Sequence, residues 1–457
     1  MAKLTYLKLS ALILLFIGCN RTITMEDINL YSNEKLHKTR GEQKKILPKL
    51  NKESKLQDYL KYAALNNAKL RSAFYKWKAS LERIDQVTSL PDPKFNYAYF
   101  IENVETRVGP QEHKFGISQT FPWFGKLRLK GNIAARNAEK HRYIYDNLKF
   151  KVFYKVKKTY SEYYFLAKRI FIIKNNLSLL KSLEKVTRQK YTTSEFAHSG
   201  IIKIQIALAK IEEELKGLQN IREPIETKLN AAINRNLNAN IPLPEKLPKV
   251  DLKKEDRSKL VTYLKNKNPK LKSLAADIKK EQASIKLAQK QYFPDFTLGV
   301  DYIDTGSRIN ANPPDESNDP VVFKVSVNIP IWFKKYKAGI TEAKNNYKAA
   351  IAKLTSQKNK LVSDLKLAMY KLEDSQRKIN LYKNTLIPKA KESLEVTLQS
   401  FISGKSDFDS LIKAQRVLLD FELSLEKAIV VKFQTIAKIE MIVGSKISVV
   451  DYDNQMK

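Results

Sequence analysis

The sequence predicts a mainly α-helical fold with a small β part, in which one arrangement of elements is built twice. Three observations carry this. Gly 13 and Pro 16 are few among 457 residues, while Lys, Leu, Ala and Glu abound, which favours long helices over a loop-rich fold. The stretch ISQTFPWFGKLRLKGNIAARNAE at 117–139 is matched by VSVNIPIWFKKYKAGITEAKNNY at 325–347, with Ser118 and Pro122 answering Ser326 and Pro330 at an offset of 208 residues. Pro91-Asp92 repeats as Pro294-Asp295 (offset 203), and Tyr191, Ile202, Lys203 and Gln205 repeat as Phe401, Ile412, Lys413 and Gln415 (offset 210). The drift places insertions in loops, where they are tolerated. Third, segments with a period of two alternate with segments of helical period, in the same order in both halves.

Residues 1–18 read as a signal peptide. Lys3 and Lys8 form a charged n-region, Leu9 to Ile17 is an apolar run too short to span a bilayer, and Gly18 precedes Cys19. Cys19 is the only cysteine, so an exported chain has no internal disulfide to make with it. The run Phe16-Ile17-Gly18-Cys19 resembles a bacterial lipobox, whose cysteine is lipidated after cleavage. An ordinary signal peptide with an incidental cysteine is the alternative. Asn20 follows, so the Asp that signals inner-membrane retention is absent from that place. Residues 19–52, polar and Lys-rich, read as an N-terminal tether.

A helical pattern covers about 53–87, with the phrase NNAKL at 66–70 echoed by NKNPKL at 266–271. Strands follow at about 94–102 and 113–121. Phe95, Tyr97, Tyr99 and Ile101 alternate with Lys94, Asn96 and Ala98; then Phe115, Ile117 and Phe121 alternate with Lys114, Gly116, Ser118 and Thr120, across a loop expected at Gly109-Pro110. The second half repeats the pattern at about 295–303 and 321–330. There Phe296, Leu298, Val300 and Tyr302 oppose Thr297, Gly299 and Asp301, and Val321, Phe323, Val325, Val327 and Ile329 oppose Lys324, Ser326 and Asn328. Two readings fit such strands: hairpins half-buried on a soluble domain, or transmembrane strands with lipid on one face and water on the other. Each run is about nine residues, near the length a tilted strand needs to cross a bilayer. In the second reading Trp123, Phe124, Trp332 and Phe333 are membrane-interface aromatics, and the turn-rich, acidic stretch at 304–320 is an exposed hairpin loop.

From about Lys126 to Lys190 there is no proline and one glycine, which predicts a helix of roughly 98 Å at about 1.5 Å per residue. Val152, Val156, Thr159, Tyr163, Leu166, Ile170, Ile173, Leu177 and Leu180 keep a strict 4-3 spacing, a coiled-coil seam with one polar member. Ile340, Tyr347, Leu354, Leu361 and Ala368 recur every seven residues. Returning helices carry Ile204, Leu208, Ile211, Leu215 and Leu218, and then Leu411, Ala414, Leu418, Phe421, Leu425 and Ala428. The turns at 191–200 and 401–407 make each half a long antiparallel hairpin. A Pro-rich linker at 241–250 separates the halves, and a tail of 445–457 closes the chain.

The chemistry of an enzyme is missing. His37, His113, His141 and His198 show no metal-ligand spacing, so neither a metal site nor a cofactor is expected. Gly404-Lys405-Ser406 looks like the end of a P-loop, but Gln399 stands where its first glycine belongs and the segment joins two helices. It reads as a hairpin turn. A net charge of +35, from 83 basic and 48 acidic residues, invites a nucleic-acid partner. The signal peptide and the scattering of these charges along helices argue against one.

The phrases PDPKF at 91–95, SQTFPWFGK at 118–126, NPKL at 268–271, YFPDFTLGV at 292–300, VNIPIWF at 327–333 and FISGKSDFDSLIKAQRVLLDFE at 401–422, in this order, resemble the TolC-like outer-membrane efflux family and its lipid-anchored branch. The resemblance covers 53–240 as a first repeat and 251–444 as a second. It implies a homotrimer with a 12-stranded β-barrel in the outer membrane, four strands per chain, and an α-barrel of helical hairpins reaching into the periplasm. It further implies an outer-membrane duct of a tripartite efflux or type I secretion system, passively conducting what a periplasmic adaptor and an inner-membrane pump deliver. Oligomerisation also follows from physics, since four strands cannot close a barrel and open edges in hydrocarbon leave N–H and C=O groups unpaired. A lipid-anchored coiled-coil structural or adhesion protein is the alternative; it accounts for the helices but not for the strands.

In the family, a tyrosine before the second hairpin turn and two aspartates after it form a periplasmic aperture. Aligned on Gly404, the tyrosine place holds Phe401 and the aspartate places hold Ser410 and Lys413, with Tyr191, Gly200 and Lys203 as first-repeat equivalents. The resemblance therefore implies an aperture with lysines in place of its acidic ring, unless those lysines pair with acids on adjacent helices.

Overall fold

The computed structural model describes residues 47–192, 198–252, 254–307 and 318–451. In chain order the elements are α1 (Leu56–Asn66), α2 (Ala68–Thr88), β1 (Lys94–Thr106), β2 (Gly109–Phe121), α3 (Lys126–Thr192), α4 (His198–Asn220) and α5 (Arg222–Ile233). Then come β3 (Lys249–Leu252), α6 (Lys254–Lys267), α7 (Pro269–Lys290), β4 (Phe296–Thr305), β5 (Val321–Val327) and α8 (Phe333–Leu381). A π-helical turn (Tyr382–Leu386), α9 (Ile387–Ile402), α10 (Phe408–Val443) and β6 (Ser448–Asp451) complete the described residues. Among the described residues these form two compact units, each drawn from both halves of the sequence.

One unit, within Trp77–Lys140 and Ala275–Ala352, holds a four-stranded antiparallel sheet in the order β1-β2-β4-β5. The register aligns Phe95 with Ile117, Ile117 with Val300 and Val300 with Phe323, so the apolar rows of all four strands share one face. β1 and β2 run further than the alternation suggested. Gly109-Pro110, expected in a loop, lie in β2, and the turn shrinks to Arg107-Val108. Proline is tolerated there because it occupies the start of a strand. β5 ends at Val327, short of 330, where Asn328 instead bonds to the backbone of Asp295 and Pro330 lacks a ladder N–H.

The other unit, within 47–76, His141–Leu274 and Lys353–451, is helical. The 4-3 seam of α3 is its core: Val156, Thr159, Tyr163, Ile173 and Leu180 are fully buried, joined by Tyr59, Leu229, Ile233 and Ile241. A second cluster unites Leu260 and Leu264 of α6, Leu365 and Ala368 of α8, and Ile436 and Ile439 of α10.

The echoed phrases NNAKL and NKNPKL have a physical meaning. Asn67 breaks the expected single helix of 53–87 in two: its Oδ1 accepts from Lys69 N–H (3.0 Å) and Leu70 N–H (3.1 Å), capping α2. Its amide donates to the Ala232 carbonyl at the end of α5 (3.1 Å). Asn268 does the same in the second half, accepting from Leu271 N–H (2.9 Å) and donating to the Ile442 carbonyl in the last turn of α10 (2.6 Å). α10 stops at Gly444, whose φ of 73° needs glycine and where a Cβ would clash with Pro269.

The stretches read as linker and tail are partly structured, since β3 and β6 pair antiparallel from Lys249–Asp451 to Leu252–Ser448. The sequence reading also passed over the π-helical turn before Pro388. There the Ile387 N–H reaches back to the Tyr382 carbonyl, which accommodates the proline without ending the helix.

Candidate functional site

The sheet exposes its apolar face. Phe95 is 70 % and Ile101 90 % exposed, and Tyr97, Tyr99, Ile117, Phe323, Val325 and Val327 stand open beside them. A protein in water rarely leaves so large an apolar surface uncovered. The opposite face is polar and internally paired. Asp301 on β4, 1 % exposed, sits between Lys114 of β2 (2.9 Å) and Lys324 of β5 (2.6 Å). Gly116 makes the room for it: a Cβ there would lie 2.5 Å from the Asp301 carboxylate. Further along, the hydroxyls of Thr120 and Thr297 meet at 2.9 Å. Among the described residues, β1 and β5 each pair on one side only, leaving both edges of the sheet open.

Where β2 leads into α3, Asp295 holds the junction. It accepts from the Trp123 N–H (2.7 Å) and from the buried Lys126 Nζ (2.8 Å), which also donates to the Phe293 carbonyl (2.9 Å). Trp123 stacks on Phe293 at 5.1 Å between centroids and touches Phe296, so it is half-buried. Phe124, Trp332 and Phe333 are exposed, Trp332 by 70 %. Among the described residues no helix is long and apolar enough to cross a membrane.

At the turn between α9 and α10, Gly404 adopts φ 76° and Asp407 caps α10, accepting from the Ser410 N–H at 2.7 Å. The Ser410 hydroxyl and N–H hold the Asp407 carboxyl below the usual carboxylate range. Phe401 is 3 % exposed and packs edge-on against Phe408, above Leu180, Leu183, Ile204 and Leu208. Lys203 of α4 is bound to Asp409, while Lys413 and Ser410 are exposed.

Residues 260–429 match the sequence profile of the family described as Outer membrane efflux protein. Over that stretch the chain resembles outer membrane efflux proteins. Among curated proteins none matches it. Three solved structures show the same fold. The outer-membrane channel OprN is similar at 17 % identity and TM-score 0.74, covering 86 % of this chain and 90 % of its own. VceC of Vibrio cholerae is similar at 14 % identity and TM-score 0.71 (86 % and 96 %), and CusC at 12 % and 0.73 (86 % and 92 %).

The residues that the sequence singles out divide into three groups. Lys203, Phe401, Ser410 and Lys413 gather around the turn between α9 and α10, although Phe401 is packed inside it. The backbone of Tyr191 ends α3, and its side chain, like Cys19, lies outside the described residues. Trp123, Phe124, Trp332 and Phe333 flank the ends of β2 and β5 that lead into helices. Sequence reading missed Asp301, Asp295 and Lys126, which pair across strands or between a loop and a helix. The signal available was an acid on an otherwise apolar or small-residue strand, with a lysine on each neighbouring strand.

Proposed function

We propose that this chain is the duct of a tripartite efflux or type I secretion system, assembled as a homotrimer that closes a 12-stranded barrel. The observation that carries the reading is the sheet, with an apolar face turned outward, a polar face crossed by the Lys114–Asp301–Lys324 pairs, and open edges at β1 and β5. Lipid suits the first face, water the second, and a neighbouring chain the edges, because hydrocarbon tolerates no unpaired backbone groups. Three sheets of four strands give about 12, enough to enclose an aqueous lumen. Phe124, Trp332 and Phe333 then lie at the membrane interface, and Cys19 supplies a lipid anchor beside the barrel. A periplasmic adaptor and an inner-membrane pump complete the route, and the pump selects the cargo.

Native mass spectrometry of the detergent-extracted protein, with conductance measured in planar bilayers, tests this. The expected result is a trimer that forms water-filled channels. A monomer or dimer without conductance, yet with intact helix and strand signals, contradicts it.

A further inference from the structure

We propose that Glu112, His113 and Asp304 form a divalent metal site of the zinc class at the end of the sheet where β2 begins and β4 ends. Each offers one ligand atom, and these atoms lie within 4.8 Å of one another. Bound Zn²⁺ takes imidazole nitrogen at about 2.0–2.1 Å and carboxylate oxygen at about 2.0–2.2 Å, so small rotations of three half-exposed side chains close the site.

The sheet is built to bring these three together. His113 and Asp304 are register partners on β2 and β4. Neighbouring residues on a strand ordinarily point to opposite faces, which would send Glu112 away from His113. Here the pairing steps from Gln111–Thr305 to His113–Asp304, so β2 carries one extra residue, Glu112, against β4. Such a bulge re-aims a side chain. Gly306 leaves space for the result: a Cβ there would lie 2.5 Å from the Glu112 carboxylate.

Charge and tautomer point the same way. The chain carries 83 basic residues, yet among the described residues neither Glu112 nor Asp304 has a Lys or Arg within ion-pair distance. Two carboxylates converging on one point without a cation repel each other, and a bound divalent ion removes that repulsion. His113 Nδ1 lies 3.0 Å from the Tyr97 hydroxyl. With Nδ1–H donating to that oxygen, Nε2 is left with its lone pair free, the arrangement that orients imidazole ligands in metal sites. One imidazole with two carboxylates suits zinc-class ions over Ca²⁺ or Mg²⁺, which take oxygen donors. The spacing of histidines in the sequence gave no sign of this site, because its ligands lie on two strands far apart in the chain.

The experiment is calorimetric titration of ZnCl₂ into the tag-free full-length chain in detergent, with CaCl₂ as a second probe. Wild type should bind one zinc per chain and little calcium. His113→Ala and Asp304→Asn should each weaken zinc binding at least tenfold, while Glu105→Gln, an acid on β1 near the same turn, should leave it unchanged. Zinc-edge X-ray absorption on wild type should show imidazole scattering, and it decides the matter where a variant fails to assemble. Absence of saturable zinc binding, wild-type affinity in His113→Ala, or an oxygen-only zinc spectrum overturns the site.

Discussion

Lys203 donates to both carboxylate oxygens of Asp409, at 2.9 Å and 2.7 Å, across 206 residues of sequence. The pair joins α4 to α10 beside the turn that precedes α10, and it occupies one of the two lysines that the family resemblance implies at an aperture. Both partners are well exposed, so its contribution to stability is at most about 1 kcal/mol. In the proposed duct its electrostatic effect is larger, because a constriction focuses the field of the charges around it. Among the described residues Lys413 forms no salt bridge, though it lies near enough to Asp407 to feel its charge. Reversal potentials in planar bilayers should show an anion preference that Lys413→Asp reduces and Asp409→Asn, which frees Lys203, increases. Cation selectivity unmoved by either substitution would place these groups away from the ion path.

Asn268 ties the start of α7 to the end of α10. Asn268→Ala removes the cap and leaves the Ile442 carbonyl without its donor, a loss of about 1–3 kcal/mol. Asn266→Ala, two residues away on the exposed surface, should be nearly neutral. Thermal unfolding of the two variants side by side checks this, and equal midpoints would refute it.

Glu426 of α10 accepts a hydrogen bond from the Tyr164 hydroxyl at 3.2 Å, and burial pushes its carboxyl above the usual range, against the pull of Lys168. The folded chain thus holds this proton more tightly than the unfolded chain does. The resulting stabilisation is fully present below the unfolded value of about 4.3 and is lost as pH rises through the folded value. Glu426→Gln should flatten the dependence of the unfolding midpoint on pH in the acid range. A variant as pH-dependent as wild type there would contradict the assignment.

Cys19 should carry the lipid anchor. Mass spectrometry of the mature N-terminus should find a diacylated cysteine as the first residue; an unmodified Cys19 inside a chain cleaved elsewhere would refute it.

Much of the fold was legible because one-dimensional periods report directly on burial. The 4-3 spacing of Val156, Thr159, Tyr163 and Leu180 named the buried seam of α3, and alternation around Phe95 and Val325 named the sheet and its apolar face. Ends and partners were less legible. β2 absorbed Gly109-Pro110 because a strand start accepts proline. Asn67 broke a helix whose apolar period continues through it, because a cap is a hydrogen-bond decision that hydropathy does not record. The pairs Lys203–Asp409 and Lys114–Asp301, and the cluster of Glu112, His113 and Asp304, join residues that only the fold brings together. Alignment alone places Phe401 at the aperture, and its packing edge-on against Phe408 is a contact that only the fold discloses.

The account turns on which face of the sheet meets lipid. Val325 and Ser326 are neighbours on β5, both exposed, and they align with Leu298 of the apolar row and Thr297 of the polar row. A lysine at mid-membrane on a lipid face costs about 2–4 kcal/mol, while one facing a lumen is tolerated. The decisive measurement is the yield of heat-resistant oligomer in outer membranes from Val325→Lys and Ser326→Lys. The account predicts a large loss for Val325→Lys and near-normal assembly for Ser326→Lys; equal yields would contradict a transmembrane sheet.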